Sequence, residues 1–224
     1  MKPPIFTGTR RTLIGITATL SMTLVGGCAA LFPNEVIPPA VYVLDGSPAL
    51  LEANAHAVVA AATAPALIVN PTRSAPGFDS QHIVYVRVAH QLEHFAHNEW
   101  ADTPARMLTP LIVSAIERTG RFRAAGASTS GIAAELRLDT EVLRLQQDFG
   151  ETPSRVSLTL RATLSDNTTR QVISWQTFDE TVPAASDDPY GGVVAANVAV
   201  QQVMAQLARY CAGVAASHPR PAAP

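Results

Sequence analysis

The ten residues from Arg155 to Leu164 alternate between apolar and polar without a break. In an extended chain Val156, Leu158, Leu160, Ala162 and Leu164 face one way, and Arg155, Ser157, Thr159, Arg161 and Thr163 face the other. A helix cannot sort these side chains, because a period of two scatters around a turn of 3.6 residues. The segment is therefore a strand with one apolar and one polar face. Its neighbours extend the pattern. Glu135 to Leu145 also alternates and shifts phase at Val142-Leu143, as a β-bulge would. Asp166-Asn167 lies in a hairpin turn, and Gln171 to Phe178 returns, carrying Trp175. This second half reads as an antiparallel meander.

The first half is less regular. Val41-Tyr42-Val43-Leu44 is a strand signal stopped by Asp45-Gly46, and Leu67-Ile68-Val69 is a short apolar run ended by Asn70-Pro71. Residues 49–64 are Ala-rich and fit a short helix or a loop. His82 to Val88 is rich in β-branched residues, and a further extended piece covers Gln91 to His97. A helix follows with Thr103 as N-cap, Pro104 at its first position and Gly120 at its end. Met107, Leu108, Leu111, Ile112 and Ala115 share one face of it, and Pro110 inside it predicts a kink. A last helix starts at Asp188-Pro189 and runs to about Ala212, with an apolar face of Val193, Ala196, Val200, Val203, Met204 and Leu207. The order of elements predicts a single α/β (α+β) domain, a mixed and largely antiparallel sheet covered by helices.

The ends of the chain are of another kind. Residues 1–27 carry Lys2, Arg10 and Arg11 and no acidic residue, then an apolar run shorter than the ~20 residues a bilayer span needs. That is the layout of a secretory signal. It closes in Leu24-Val25-Gly26-Gly27-Cys28, which resembles the lipobox of bacterial lipoproteins, whose Cys thiol takes diacylglycerol and becomes the first residue after cleavage. Lipid attachment is expected at Cys28, with Ala29 after it resembling the outer-membrane address of Gram-negative lipoproteins. Residues 28–40 then form a Pro-containing tether, 41–213 the domain, and 214–224 a disordered Pro/Ala tail. Without the signal the chain holds thirteen basic and eighteen acidic residues and no Lys, a net charge of −5. Such a surface argues against nucleic acid, which needs clustered Lys and Arg. Cys211 is the only other Cys and has no partner for a disulfide once Cys28 is acylated; a small buried apolar side chain is its expected role.

Several segments together resemble one family. In order they are Ala75-Pro76-Gly77-Phe78-Asp79, Ile83-Val84-Tyr85-Val86-Arg87, Trp100 to Leu108, Gly120-Arg121-Phe122, Gln146-Gln147-Asp148-Phe149 and Asp187-Asp188-Pro189-Tyr190. Behind a lipobox they look like the ABC-type transport auxiliary lipoproteins, the PqiC-like family, over about residues 41–212. The resemblance implies a domain similar to the TolB N-terminal domain. It implies a non-enzymatic component without cofactor, working beside an ABC ATPase, a permease and an MCE protein in lipid transport. It leaves room for a homo-oligomer. The chain has no G-x-x-x-x-G-K-[ST] phosphate loop and no spanning helix after the signal, so it is neither the ATPase nor the permease.

One motif points elsewhere. His90-Gln91-Leu92-Glu93-His94 matches the H-x-x-E-H of inverted zinc peptidases, which would make the chain a zinc-dependent periplasmic hydrolase with Glu93 as general base. That chemistry needs both His on one helical face, with His97 a tempting extra ligand. The β-prone run before it, the interruption at Asn98 to Asp102 and the lack of a downstream third ligand all count against it, so no metal site is expected. Gly126 to Gly131 has the spacing G-x-S-x-x-G, not that of a nucleophile elbow, and reads as a polar loop. Trp100 is expected to be a core aromatic, with a partner contact as its other role, and Phe78 is a candidate loop contact.

Overall fold

The structure is a computed structural model that describes residues 38–45, 61 and 63–217. Cys28, the signal, most of the Ala-rich 49–64 segment and residues 218–224 lie outside the described residues. From Pro39 onward the elements are β1 (Ala40–Tyr42), β2 (Ala66–Val69), β3 (Arg73–Ser74), β4 (His82–Val86) and β5 (Glu93–Trp100). They continue as α1 (Pro104–Glu117), β6 (Ala124–Ala127), β7 (Leu136–Asp148), β8 (Arg155–Asp166), β9 (Val172–Pro183) and α2 (Pro189–Ser217).

Strand β7 organises the sheet. Along one edge it pairs antiparallel with β8, which pairs antiparallel with β9. Along the other it meets three strands in turn, all parallel: β2 at Leu136–Leu138, β3 at Glu141–Val142 and β4 at Gln147–Asp148. Parallel β6 extends the sheet from β2, while antiparallel β5 and then parallel β1 extend it from β4. The expected phase shift in β7 is a register shift between Val142 and Arg144. One extra residue there returns Leu145 and Gln147 to the buried face used by Leu136, Leu138, Thr140 and Val142.

Both helices cover that face. Leu158, Leu160, Ala162 and Leu164 of β8 and Phe178 of β9 pack beneath Val200, Val203, Met204 and Leu207 of α2, while Leu108, Ile112 and Ile116 of α1 complete the core. The opposite face is open, and its polar residues pair along and across strands: Arg137 with Asp139 within β7, Arg144 of β7 with Asp179 of β9, and Arg161 of β8 with Glu141 of β7. Exposed pairs of this kind contribute little stability; what they do is keep the face wet. Where the core must hold hydroxyls, they satisfy each other, Thr72 with Thr140 at 2.9 Å and Thr109 with Thr72 at 3.1 Å.

At the helix ends some local expectations hold and others change. Helix α1 runs unbroken through Pro110, which is exposed, as is Arg106 one turn before it. Thr103 makes no side-chain cap; its carbonyl accepts from Arg106 and Met107, and the Asp102 carboxylate takes its N–H at 2.7 Å. Gly120 ends the segment with φ of +58°, the left-handed conformation that favours glycine. Helix α2 continues past Ala212 to Ser217, and Cys211 and Ala215 are buried on its inner side. No helix among the described residues is long and apolar enough to cross a membrane.

Candidate interaction site

The hairpin of β4 and β5 carries the densest chemistry at its tip. Tyr85 on β4 faces Glu93 across the ladder, and its ring lies 4.4 Å from Phe95 and 5.8 Å from Phe149, the latter edge-on. Phe149 is brought there by the end of β7, where its N–H binds the Val86 carbonyl at 2.8 Å. Arg87 spans the cluster. Its guanidinium sits 5.4 Å from the Tyr85 ring centre, and it clasps the Glu93 carboxylate through two nitrogens. The hydrogen bond from Arg87 holds the Glu93 carboxyl below the ordinary range, against the upward push of burial.

Beyond this clasp the chain turns. His90 has φ of +68°, and the Gln91 N–H closes the turn on the Val88 carbonyl. Val88 is 59% exposed and Leu92 43%. The turn at Ala75–Phe78 packs alongside, with Gly77 at φ of +90°, where an added Cβ would lie 3.0 Å from the Leu92 side chain. Phe78 is half-buried in this turn. Three of the segments quoted above, 75–79, 83–87 and 146–149, thus converge on one end of the hairpin.

The H-x-x-E-H residues do not form a zinc site. His90 is in the turn, Glu93 is committed to Arg87 and Tyr85, and His94 stacks on His82 of β4 with ring centres 4.9 Å apart. In a strand His94 and His97 point to opposite faces, so the spacing that works on a helix fails here. Among the described residues no group of three His, Cys, Asp or Glu converges on a metal position. The Gly126–Gly131 segment opens in β6 and closes in a turn, where the Ser130 N–H binds the Ala127 carbonyl. Trp100 is 3% exposed, a core residue. Cys211 is buried, and burial pushes its thiol up to about 12. No thiolate chemistry is accessible there.

A second group of residues fixes the start of α2. The Gln147 amide, 2% exposed, donates to the Ser154 hydroxyl at 2.9 Å and to the Asp188 carbonyl at 3.2 Å. Asp187 accepts the Ser154 N–H and Asp188 accepts the Gly191 N–H at 2.7 Å. That backbone bond, followed by one from Ser186, depresses the Asp188 carboxyl. The 146–149 and 187–190 segments are therefore partly structural. What sequence reasoning missed are the exposed apolar side chains. Trp175 stands 66% exposed on β9, and Val41, Val43, Tyr190 and Val194 are all exposed near β1. The only signal for Trp175 was its place in the alternation of β9; the β1 group brings together residues from opposite ends of the domain and had none.

A mixed sheet backed by two helices, with ion pairs on its open face and two exposed apolar side chains at a hairpin tip, defines an α+β domain. A family model described as ABC-type transport auxiliary lipoprotein component matches residues 49–208, and the chain belongs to that family. Among solved structures, a Xanthomonas campestris protein of the DUF330 family is similar with a TM-score of 0.61 at 23% identity, over 71% of this chain and 94% of that one. An uncharacterized protein is similar with a TM-score of 0.60 at 16% identity, over 78% and 99%. These likenesses concern the fold. No curated protein matches.

Proposed function

We propose that the protein is an outer-membrane lipoprotein, held on the periplasmic face through lipid on Cys28, that serves as the adaptor of an MCE-type ABC lipid transport system. It acts by binding, and the β4–β5 hairpin tip is the surface that meets the MCE protein. The observation that carries this reading is the tip itself. Exposed Val88 and Leu92 are held on a rigid base by the Arg87–Glu93 clasp and the Tyr85–Phe95–Phe149 cluster. A braced apolar projection with an Arg and aromatics beneath it has the make-up of a binding hot spot. Support for the address comes from the lipobox and Ala29, and support for the system from the family.

The test is a photocrosslinking amino acid placed at Leu92 in the full lipoprotein and expressed with its transport system. It is expected to capture the MCE-domain protein from cell envelopes, whereas the same group at Val172 captures none. Leu92→Asp should lower co-purification of the MCE protein on the order of tenfold. A mild-detergent pull-down that recovers no MCE component would refute the partnership.

A further inference from the structure

Four of the eight exposed large hydrophobic side chains among the described residues meet at one place. Val41 is 61% exposed, Val43 52%, Tyr190 63% and Val194 41%, and they line one shallow groove between β1 and the start of α2. Scattered exposed apolar residues are ordinary; a contiguous group is not. The groove is built rather than frayed. Leu44 is buried beneath it, and Asn197 clamps the segment to α2, donating to the Val43 carbonyl at 3.1 Å and accepting the Asp45 N–H at 2.9 Å. The Tyr42 and Tyr190 rings stand 6.4 Å apart beside it.

We propose that this patch docks on the lipid surface of the membrane that carries the protein's anchor. The inference rests on the reading that Cys28 is lipidated. Only eleven residues lie between Cys28 and Ala40, the first residue of β1, a reach of about 40 Å at full extension. The patch therefore lies where the chain arrives from the membrane. Its chemistry suits a bilayer interface: short apolar side chains with tyrosines, whose rings have an apolar body and a polar tip. Four side chains fall well short of the ~800 Å² per partner of a stable protein interface. A tethered domain needs far less, because the anchor makes each contact intramolecular. The hairpin tip is at the other end of β5 from β1, so docking here leaves Val88 and Leu92 facing away from the patch.

The experiment uses the full lipoprotein in vesicles of phosphatidylethanolamine with a minor share of phosphatidylglycerol. A polarity-sensitive dye is attached at Val194→Cys or, as control, at Val172→Cys on β9, the opposite edge of the sheet. Cys211 is buried and does not compete for the dye in the folded protein. Nitroxide-bearing lipid is expected to quench the dye at 194 by about half or more, as for groups seated ~5–10 Å into the headgroup region, and to leave 172 unchanged. Flotation with the vesicles but no quenching at 194 would overturn docking while leaving the anchor intact. Equal quenching at both positions would overturn it as a property of this patch. Dye–dye self-quenching at 194 that nitroxide lipid does not alter would assign the patch to a second copy instead. Failure to float would sink the anchor and the docking together.

Discussion

Gly192 and Gly213 lie in the same helix and should respond oppositely to the same change. A Cβ at 192 would overlap the Gln147 amide oxygen and sit 2.7 Å from its Cδ. Gln147 cannot retreat, because its amide nitrogen is held by Ser154 and Asp188. Gly192→Ala is therefore expected to cost roughly 1–3 kcal/mol in urea unfolding. At Gly213 nothing lies within 4 Å, and Ala there should add about 0.4–1 kcal/mol by restricting the unfolded chain and favouring helix. Asp188 supplies a pH signature. Its folded carboxyl is depressed by the Gly191 N–H, so its contribution is fully present above the unfolded carboxylate range and is lost as pH falls through the lower folded value. Asp188→Asn keeps an acceptor for Gly191 but removes the charge. Its stability deficit should be present near neutral pH and disappear in acid, as read by unfolding curves across that range.

Among the elements, α1 offers the clearest test. Pro110 lacks the N–H that would meet the Arg106 carbonyl, and both residues face solvent, so water can serve the carbonyl and the helix runs on. Pro110→Ala restores that bond without disturbing the core and is expected to stabilise the domain by about 1–3 kcal/mol, visible as a raised melting temperature. Elements were legible wherever one period dominated. Strand β8 announced itself by alternation, the bulge in β7 by its phase slip, and α1 by its punctuation. Strand β6 did not, because Ala124-Ala125-Gly126-Ala127 has no polar alternation and no β-branched residue; it is a strand only because β2 offers it a ladder. Strand β5 runs on through Asn98-Glu99-Trp100, where its own residues argue for a break, because β1 and β4 flank it. The same limit hid the interaction surfaces. The clasp of Arg87 and Glu93 is local, but the Phe149 that braces it arrives from the far end of β7, and Tyr190 reaches Val41 from the opposite end of the domain. The H-x-x-E-H motif shows the converse: a pattern whose meaning depends on helix geometry was dissolved by a strand.

At the scale of the whole molecule, β7 decides how the protein can come into being. The pair β2–β6, the short β3, and the set β4–β5–β1 share no ladder with one another; within the sheet each is joined to the rest only through residues of β7. A ribosome makes the chain from its N-terminus, so these three pieces exist before the strand that unites them. Until residues 136–148 arrive they have no common register, and β7 has no antiparallel partner until β8 follows. Contacts of such sequence separation fold slowly, because loop closure must precede any gain from pairing. The first half of the domain is thus kept waiting by its own topology, a delay that would suit a chain exported unfolded, as the proposed lipid anchor requires.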